Sequence, residues 1–131
     1  MGRWTTVDRV ISLEPGVGAR GLRNVPNTLS ILDSHFPRFP VLPGVMILGS
    51  LGELACMLLK EQTGRPWRLA GAEQVRYRHF VQPGDQMDLT VELKELSDDA
   101  AVFGATVKVE GRVMTTARRL RLVPEEADGP R

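Results

Sequence analysis

Apolar positions change their spacing once along this chain. From Gly44 to about Gln62 they fall at Val45, Met46, Ile47, Leu48, Leu51, Leu54, Ala55, Met57, Leu58 and Leu59, which predicts a helix of about five turns. They lie on most sides of it, so the helix is expected to be wrapped by the rest of the protein. Thr63-Gly64-Arg65-Pro66 ends it. Elsewhere the period is two or the chain reads as extended. Trp4 to Leu13 runs into Glu14-Pro15-Gly16, a turn signal, and Gly18 to Pro26 forms a second extended piece. After the helix, Trp67 to Phe80 leads into the turn Val81 to Asp85. Gln86 to Leu96 follows, alternating at Met87, Leu89, Val91 and Leu93. Ala100 to Gly111 and Arg112 to Val123 read as a hairpin about Glu110-Gly111. Asn27 to Phe36 reads as a short helix or an irregular loop, and Pro37, Pro40 and Pro43 exclude regular helix before Gly44.

One buried helix with five or six antiparallel strands is an α+β pattern, the sheet curling around the helix. No repeat or linker interrupts it. The 131 residues are expected to form a single domain, 1–131, with a polar, frayed tail over 124–131. Charge excludes little: 17 Lys+Arg stand against 16 Asp+Glu, so no net field points to nucleic acid or a membrane surface. The basic run Arg118 to Leu122 alternates with apolar residues and reads as a strand with one solvated face. Cys56 is the only cysteine and there are two histidines, so neither a disulfide nor a structural metal site is expected. No apolar run is long enough to span a membrane, and the first residues carry no signal-peptide core. Gly2 and Thr6 fit the loose myristoylation pattern, which is read as chance. A soluble, cytoplasmic protein is expected.

The stretch "HFPRFPVLPGVMILGSLGELA", His35 to Ala55, places a histidine before a Pro-Gly turn that opens the helix. It resembles the active-site segment of the (3R)-hydroxyacyl-ACP dehydratases of fatty-acid synthesis, the FabZ/FabA type of hotdog-fold protein. "VDRVISLEPG" (Val7 to Gly16) is similar to that family's opening strand, and "RYRHFVQPGDQMDLTVEL" (Arg76 to Leu93) to its Pro-Gly-Asp hairpin. The likeness covers nearly the whole chain. It implies a hotdog fold and a homodimer with sites at the subunit interface, the histidine from one chain and an acid from the partner's central helix. It also implies an acyl tunnel beside that helix and a substrate carried on the phosphopantetheine of acyl carrier protein or CoA, with no other cofactor.

Removing water from a 3-hydroxyacyl thioester needs a base at C2, an acid for the departing C3 hydroxyl and a donor that polarises the carbonyl. His35 suits the base, since an imidazole accepts a proton near neutrality. By position in the motif, Gly44 suits the donor: its N–H opens the helix, where free donors and the dipole favour negative charge. Pro43 and Gly44 make the sharp turn into the helix, and Val45 continues the substrate-binding segment. His79 lacks such a context and reads as structural.

The acid is where the chain departs. In the family a Glu or Asp follows the histidine by fourteen positions, and here Gly49 stands there. Glycine costs a helix about 1 kcal/mol relative to alanine, so room is expected beside it, either for substrate or for a partner helix. Glu53 is one turn on, displaced about 6 Å along the axis. In an apolar setting its carboxyl could hold a proton to donate; otherwise it pairs with an arginine from the sheet. Ser50, on the same side, is a weaker candidate. Arg38 replaces the family's Gly after His-Phe-Pro, implying a different loop path or a cation for phosphate. Cys56, Met46 and Met57 read as tunnel and core lining.

Three activities stay open on these residues. The first is a dehydratase or hydratase in which His35 is the base and Glu53 the relocated acid. The second is a hotdog thioesterase using Glu53 on a carbonyl held by Gly44. The third is a non-catalytic, acyl-binding or partner-completing subunit that has lost the family acid.

Overall fold

The structure, a computed structural model, describes residues 7–25 and 44–125. The order is β1 (Arg9–Glu14), β2 (Gly18–Asn24), α1 (Gly44–Thr63), β3 (Trp67–Tyr77), β4 (Gln86–Leu96), β5 (Ala101–Val109) and β6 (Arg112–Pro124). The strands make one sheet, ordered β1-β2-β4-β5-β6-β3, with every neighbouring pair antiparallel. β2 and β3 are therefore far apart in the sheet, and α1 lies on the chain's path between them. It packs against β2, β3 and β4 on one face. This is the α+β arrangement expected from the period change at Gly44, and one helix on a six-stranded antiparallel sheet fits the hotdog fold that the resemblance implies.

Local chemistry sets the ends of these elements. Gly64 follows α1 at φ 81° and its N–H bonds the Lys60 carbonyl at 2.9 Å, a left-handed cap that glycine adopts without strain. Thr63 Oγ1 then accepts the Trp67 indole N–H at 3.0 Å, fixing how β3 leaves the helix. The expected hairpin is present: Glu110 and Gly111 both have positive φ, 52° and 80°, the turn whose twist matches that of paired strands. At the Pro-Gly-Asp turn, Val25 N–H bonds the Asp85 carbonyl at 2.9 Å and Gly84 N–H bonds the Val25 carbonyl at 2.8 Å. That turn thereby ties down the end of β2, just before the chain departs for the His35 segment.

The core lies between α1 and the sheet. Leu51, Leu54, Leu58 and Leu59 from the helix meet Met87, Leu89, Val91, Phe103, Val107, Leu120 and Leu122, all fully buried. Each such side chain contributes roughly 1.5–3 kcal/mol relative to exposure. Burial on α1 is one-sided, however. Val45 is 75% exposed and Gly49 is exposed as well, so the described residues alone do not provide the expected all-round wrapping. A single six-stranded sheet covers only one side of a helical cylinder. On β6, Arg118 and Arg121 are exposed while Ala117, Leu120 and Leu122 are buried, the solvated face expected of the basic run.

The expected strand ends differ at two places. β1 begins at Arg9, with Val7 and Asp8 outside it and Trp4 to Thr6 beyond the described residues, and β3 stops at Tyr77 rather than Phe80. Beyond Tyr77 the backbone turns towards β6, with the Arg78 and His79 N–H groups both directed at the Met114 carbonyl. The ambiguous segment Asn27 to Phe36, Arg38, the prolines and the 126–131 part of the tail lie outside the described residues.

Candidate active site at the start of the central helix

Of the residues singled out in the sequence, His35 and Pro43 lie outside the described residues. Gly44, Val45, Gly49, Ser50 and Glu53 all sit on α1. Gly44 opens the helix, so its N–H and those of the next three residues have no partner within the helix. What it packs against was not legible beforehand. A Cβ placed on Gly44 would stand 2.6 Å from Tyr77 Cζ and 2.7 Å from the Tyr77 hydroxyl oxygen. The phenol ring at the end of β3 thus occupies the notch that this glycine leaves, and no larger residue fits there without moving it. Burial pushes the Tyr77 phenol above its ordinary value, so at neutral pH it keeps its proton.

Tyr77 belongs to a row of registered residues on the inner face of the sheet. It pairs with Thr115, which pairs with Val107, then Leu89, then Gly21. Thr115 is fully buried, and its hydroxyl oxygen has no hydrogen-bond partner among the described residues.

One turn and more along α1, Ser50 is buried and accepts a hydrogen bond from Arg23 Nη1 at 2.8 Å. Its own hydroxyl reaches back to the Met46 carbonyl at 3.3 Å. Arg23 comes from β2 and is only 7% exposed. Burial lowers its pKa from the ordinary arginine value, while the carboxylates of Asp8 and Glu53 act in the opposite sense and support its charge. The setting of Glu53 is therefore not purely apolar: an arginine from the sheet stands within electrostatic reach. Glu53 also lines an open cavity of about 460 Å³ with Cys56, Met57, Lys60 and Trp67, which agrees with the lining role expected of Cys56 and Met57. Gly49 faces open space, since a Cβ there would meet nothing within 4 Å. A larger hollow, about 690 Å³, lies on the sheet face away from α1 among Arg76, Thr90, Thr106, Thr116 and Arg118. It shares no residue with the helix. Among the described residues no cluster of His, Cys, Asp or Glu is placed to hold a metal ion.

The profile of the ApeI-like family, described as ApeI dehydratase, matches residues 19–118, from β2 through Gly44 and Tyr77 into β6. The chain belongs to the ApeI-like dehydratases. The resemblance seen in the His35 and Pro-Gly-Asp segments is thereby borne out. This dehydratase-family chain is 37% identical over 114 residues to the 3-hydroxyacyl-[acyl-carrier-protein] dehydratase FabZ of Latilactobacillus sakei, covering 85% of this chain and 81% of that one. It is 36% identical over 121 residues to the same enzyme of Pelotomaculum thermopropionicum, covering 86% of each. Among solved structures, this ApeI-like chain superposes on one from the dehydratase heterocomplex ApeI:P of Xenorhabdus doucetiae with a TM-score of 0.74 at 17% identity, covering 94% and 84% of the two chains. It likewise superposes on smu.793 of Streptococcus mutans, bound to acetyl CoA, with a TM-score of 0.73 at 13% identity, covering 95% and 93%. At those identities the likeness establishes the fold, and the hotdog expectation stands. Among the described residues no helix is long and apolar enough to cross a membrane.

Proposed function

We propose that the protein removes water from 3-hydroxyacyl thioesters, or adds it to 2-enoyl thioesters, carried on acyl carrier protein or CoA. The observation that carries this reading is the start of α1 at Gly44 inside the stretch matched by the dehydratase profile. The thioester carbonyl accepts from the Gly44 N–H, where helix donors favour negative charge. His35 takes the C2 proton; the freed electron pair forms the C2–C3 double bond as the C3–O bond breaks. Glu53 supplies the proton with which the hydroxyl leaves as water, one helical turn from the family position held by Gly49. Pro43 and Val45 flank the donor, and Gly49 and Ser50 border the acyl chain's path. The chain acts as a single domain and a cytoplasmic homodimer, with no cofactor beyond the carrier's phosphopantetheine. The side of α1 that the described residues leave open, with Val45 at 75% exposure, supports a partner there.

Two other activities keep one supporting observation each. The cation Arg23 within electrostatic reach of Glu53 favours a thioesterase in which Glu53, as a carboxylate, activates water. Gly49 in place of the family acid favours a subunit that completes a partner's site. Mass spectrometry of 3-hydroxyacyl thioesters on both carriers separates the three, run with wild type, His35→Ala and Glu53→Gln. Water loss abolished by both substitutions supports the relocated acid, and water loss surviving Glu53→Gln removes Glu53 from that role. Free acid identifies the thioesterase. No turnover on either carrier leaves the partner-dependent subunit.

A further inference from the structure

Two donors converge at the start of α1. The Tyr77 hydroxyl oxygen lies 2.7 Å from the point where a Gly44 Cβ would stand. Standard covalent geometry puts that point about 2.5 Å from the Gly44 nitrogen. The hydroxyl is thus no more than about 5 Å from the N–H nitrogen, whatever the direction. A single oxygen accepting from two donors at about 2.9 Å each accommodates a donor separation of up to about 6 Å. The two groups are close enough to share one acceptor.

Three further observations favour a bound acceptor over a ring that only fills a notch. Tyr77 is 47% exposed, so a ligand can reach it. Its hydroxyl makes no hydrogen bond among the described residues. Beside it, Thr115 is registered with Tyr77 and projects to the same face; its hydroxyl oxygen is buried and without a hydrogen-bond partner among the described residues, an arrangement that costs a protein about 1–3 kcal/mol.

We propose that the Tyr77 hydroxyl is the second hydrogen-bond donor to the thioester carbonyl, acting beside the Gly44 N–H. The identity of the ligand rests on the dehydratase reading above. As the C2 proton leaves, charge accumulates on the carbonyl oxygen, and the two donors stabilise it. No proton passes from Tyr77: the charge returns to carbon as the C3–O bond breaks. Because burial raises the phenol, the donor stays protonated across the neutral range. The role gives the chain an electrophilic group that the histidine-and-acid pattern does not include.

The test compares full-length wild type with Tyr77→Phe, which keeps the ring against Gly44 and removes only the hydroxyl. Tyr77 is the only tyrosine in the chain, so biosynthetic replacement by 3-fluorotyrosine provides a second variant, with a stronger donor at this one position. Two readouts are taken: steady-state dehydration, and the carbon-13 resonance of a C1-labelled 2-enoyl thioester bound to each protein, on CoA and on acyl carrier protein. The expected results are a fall in kcat of at least about tenfold in Tyr77→Phe with little change in KM, since loss of one such donor typically costs about 10²–10³. The bound carbonyl should resonate further downfield in wild type than in Tyr77→Phe, and further still with 3-fluorotyrosine. Equal resonances in all three overturn the assignment even if the wild type turns over. A graded resonance without turnover upholds Tyr77 as donor while refuting the dehydratase reading. Failure of the thioester to bind on either carrier overturns both.

Discussion

Arg23 Nη1 and Ser50 Oγ meet at 2.8 Å in the interior, joining strand β2 to the middle of the central helix. The contact is a charge-assisted hydrogen bond out of reach of water, since Arg23 is 7% exposed and Ser50 fully buried. Such bonds contribute about 1.5–3 kcal/mol. Ser50→Ala is expected to lower the free energy of unfolding by about that much. Arg23→Ala should cost at least as much, because it also takes the cation from the carboxylates of Asp8 and Glu53. Urea unfolding followed by tryptophan fluorescence measures both, and an Arg23→Ala protein as stable as wild type would refute the structural role.

Tyr77, as the only tyrosine, can be titrated directly through its phenolate absorbance. Its midpoint in the folded protein should lie above the ordinary value of 10.0, the cause being burial. The stability consequence has a definite sign. Above pH 10 the unfolded chain loses this proton first, so the folded state binds more protons and stability falls as pH rises. The alkaline decline in urea midpoint should be shallower in Tyr77→Phe. An unshifted phenolate midpoint would show that the partial burial of the ring leaves its hydroxyl unperturbed.

The contact between Tyr77 and Gly44 was hidden because nothing in either local pattern encodes it. Tyr77 ends a strand that the alternation carried on to Phe80, and its partner lies on another element. Arg23 was hidden for a different reason. On β2, Ala19, Gly21 and Arg23 face the helix while Leu22 is the less buried neighbour, so the polar residue takes the inward position that hydrophobic alternation would assign to leucine. By contrast, the helix from Gly44, its Gly64 cap and the Glu110-Gly111 hairpin were legible, since each is fixed by residues adjacent in sequence. The candidate site lies between these cases. Gly44 could be placed from the Pro-Gly turn and the resemblance, whereas its surroundings required the registered row through Thr115.

Gly44→Ala tests the notch itself. Its added methyl would lie 2.6–2.9 Å from three atoms of the Tyr77 phenol, closer than carbon atoms pack. The ring is half-exposed and can swing outward, so the stability cost is expected to stay within about 1–3 kcal/mol. Activity should fall further than stability, because displacing the ring separates the hydroxyl from the helix N–H. The check is kcat alongside urea unfolding, and a variant with wild-type turnover would show that the close approach serves packing alone.

Gly49 offers the sharpest test of the relocated acid. Its position is exposed, and a Cβ there meets nothing within 4 Å, so the described residues impose no steric reason for glycine. Gly49→Ala should raise the free energy of unfolding by about 1 kcal/mol through helix propensity. If Glu53 donates the proton, Glu53→Gln lowers kcat by about 10²–10⁴, the usual worth of a general acid. Adding Gly49→Glu to that variant places a carboxyl at the family position, four residues earlier on the same face of α1, and should recover at least about tenfold of the loss. Recovery in the double variant, with a ring-packed Tyr77 unchanged, locates the proton donor on this face of the helix. A double variant as slow as Glu53→Gln would mean that Glu53 acts through its charge on Arg23, as a positioning group, and that the proton reaches the leaving hydroxyl from elsewhere.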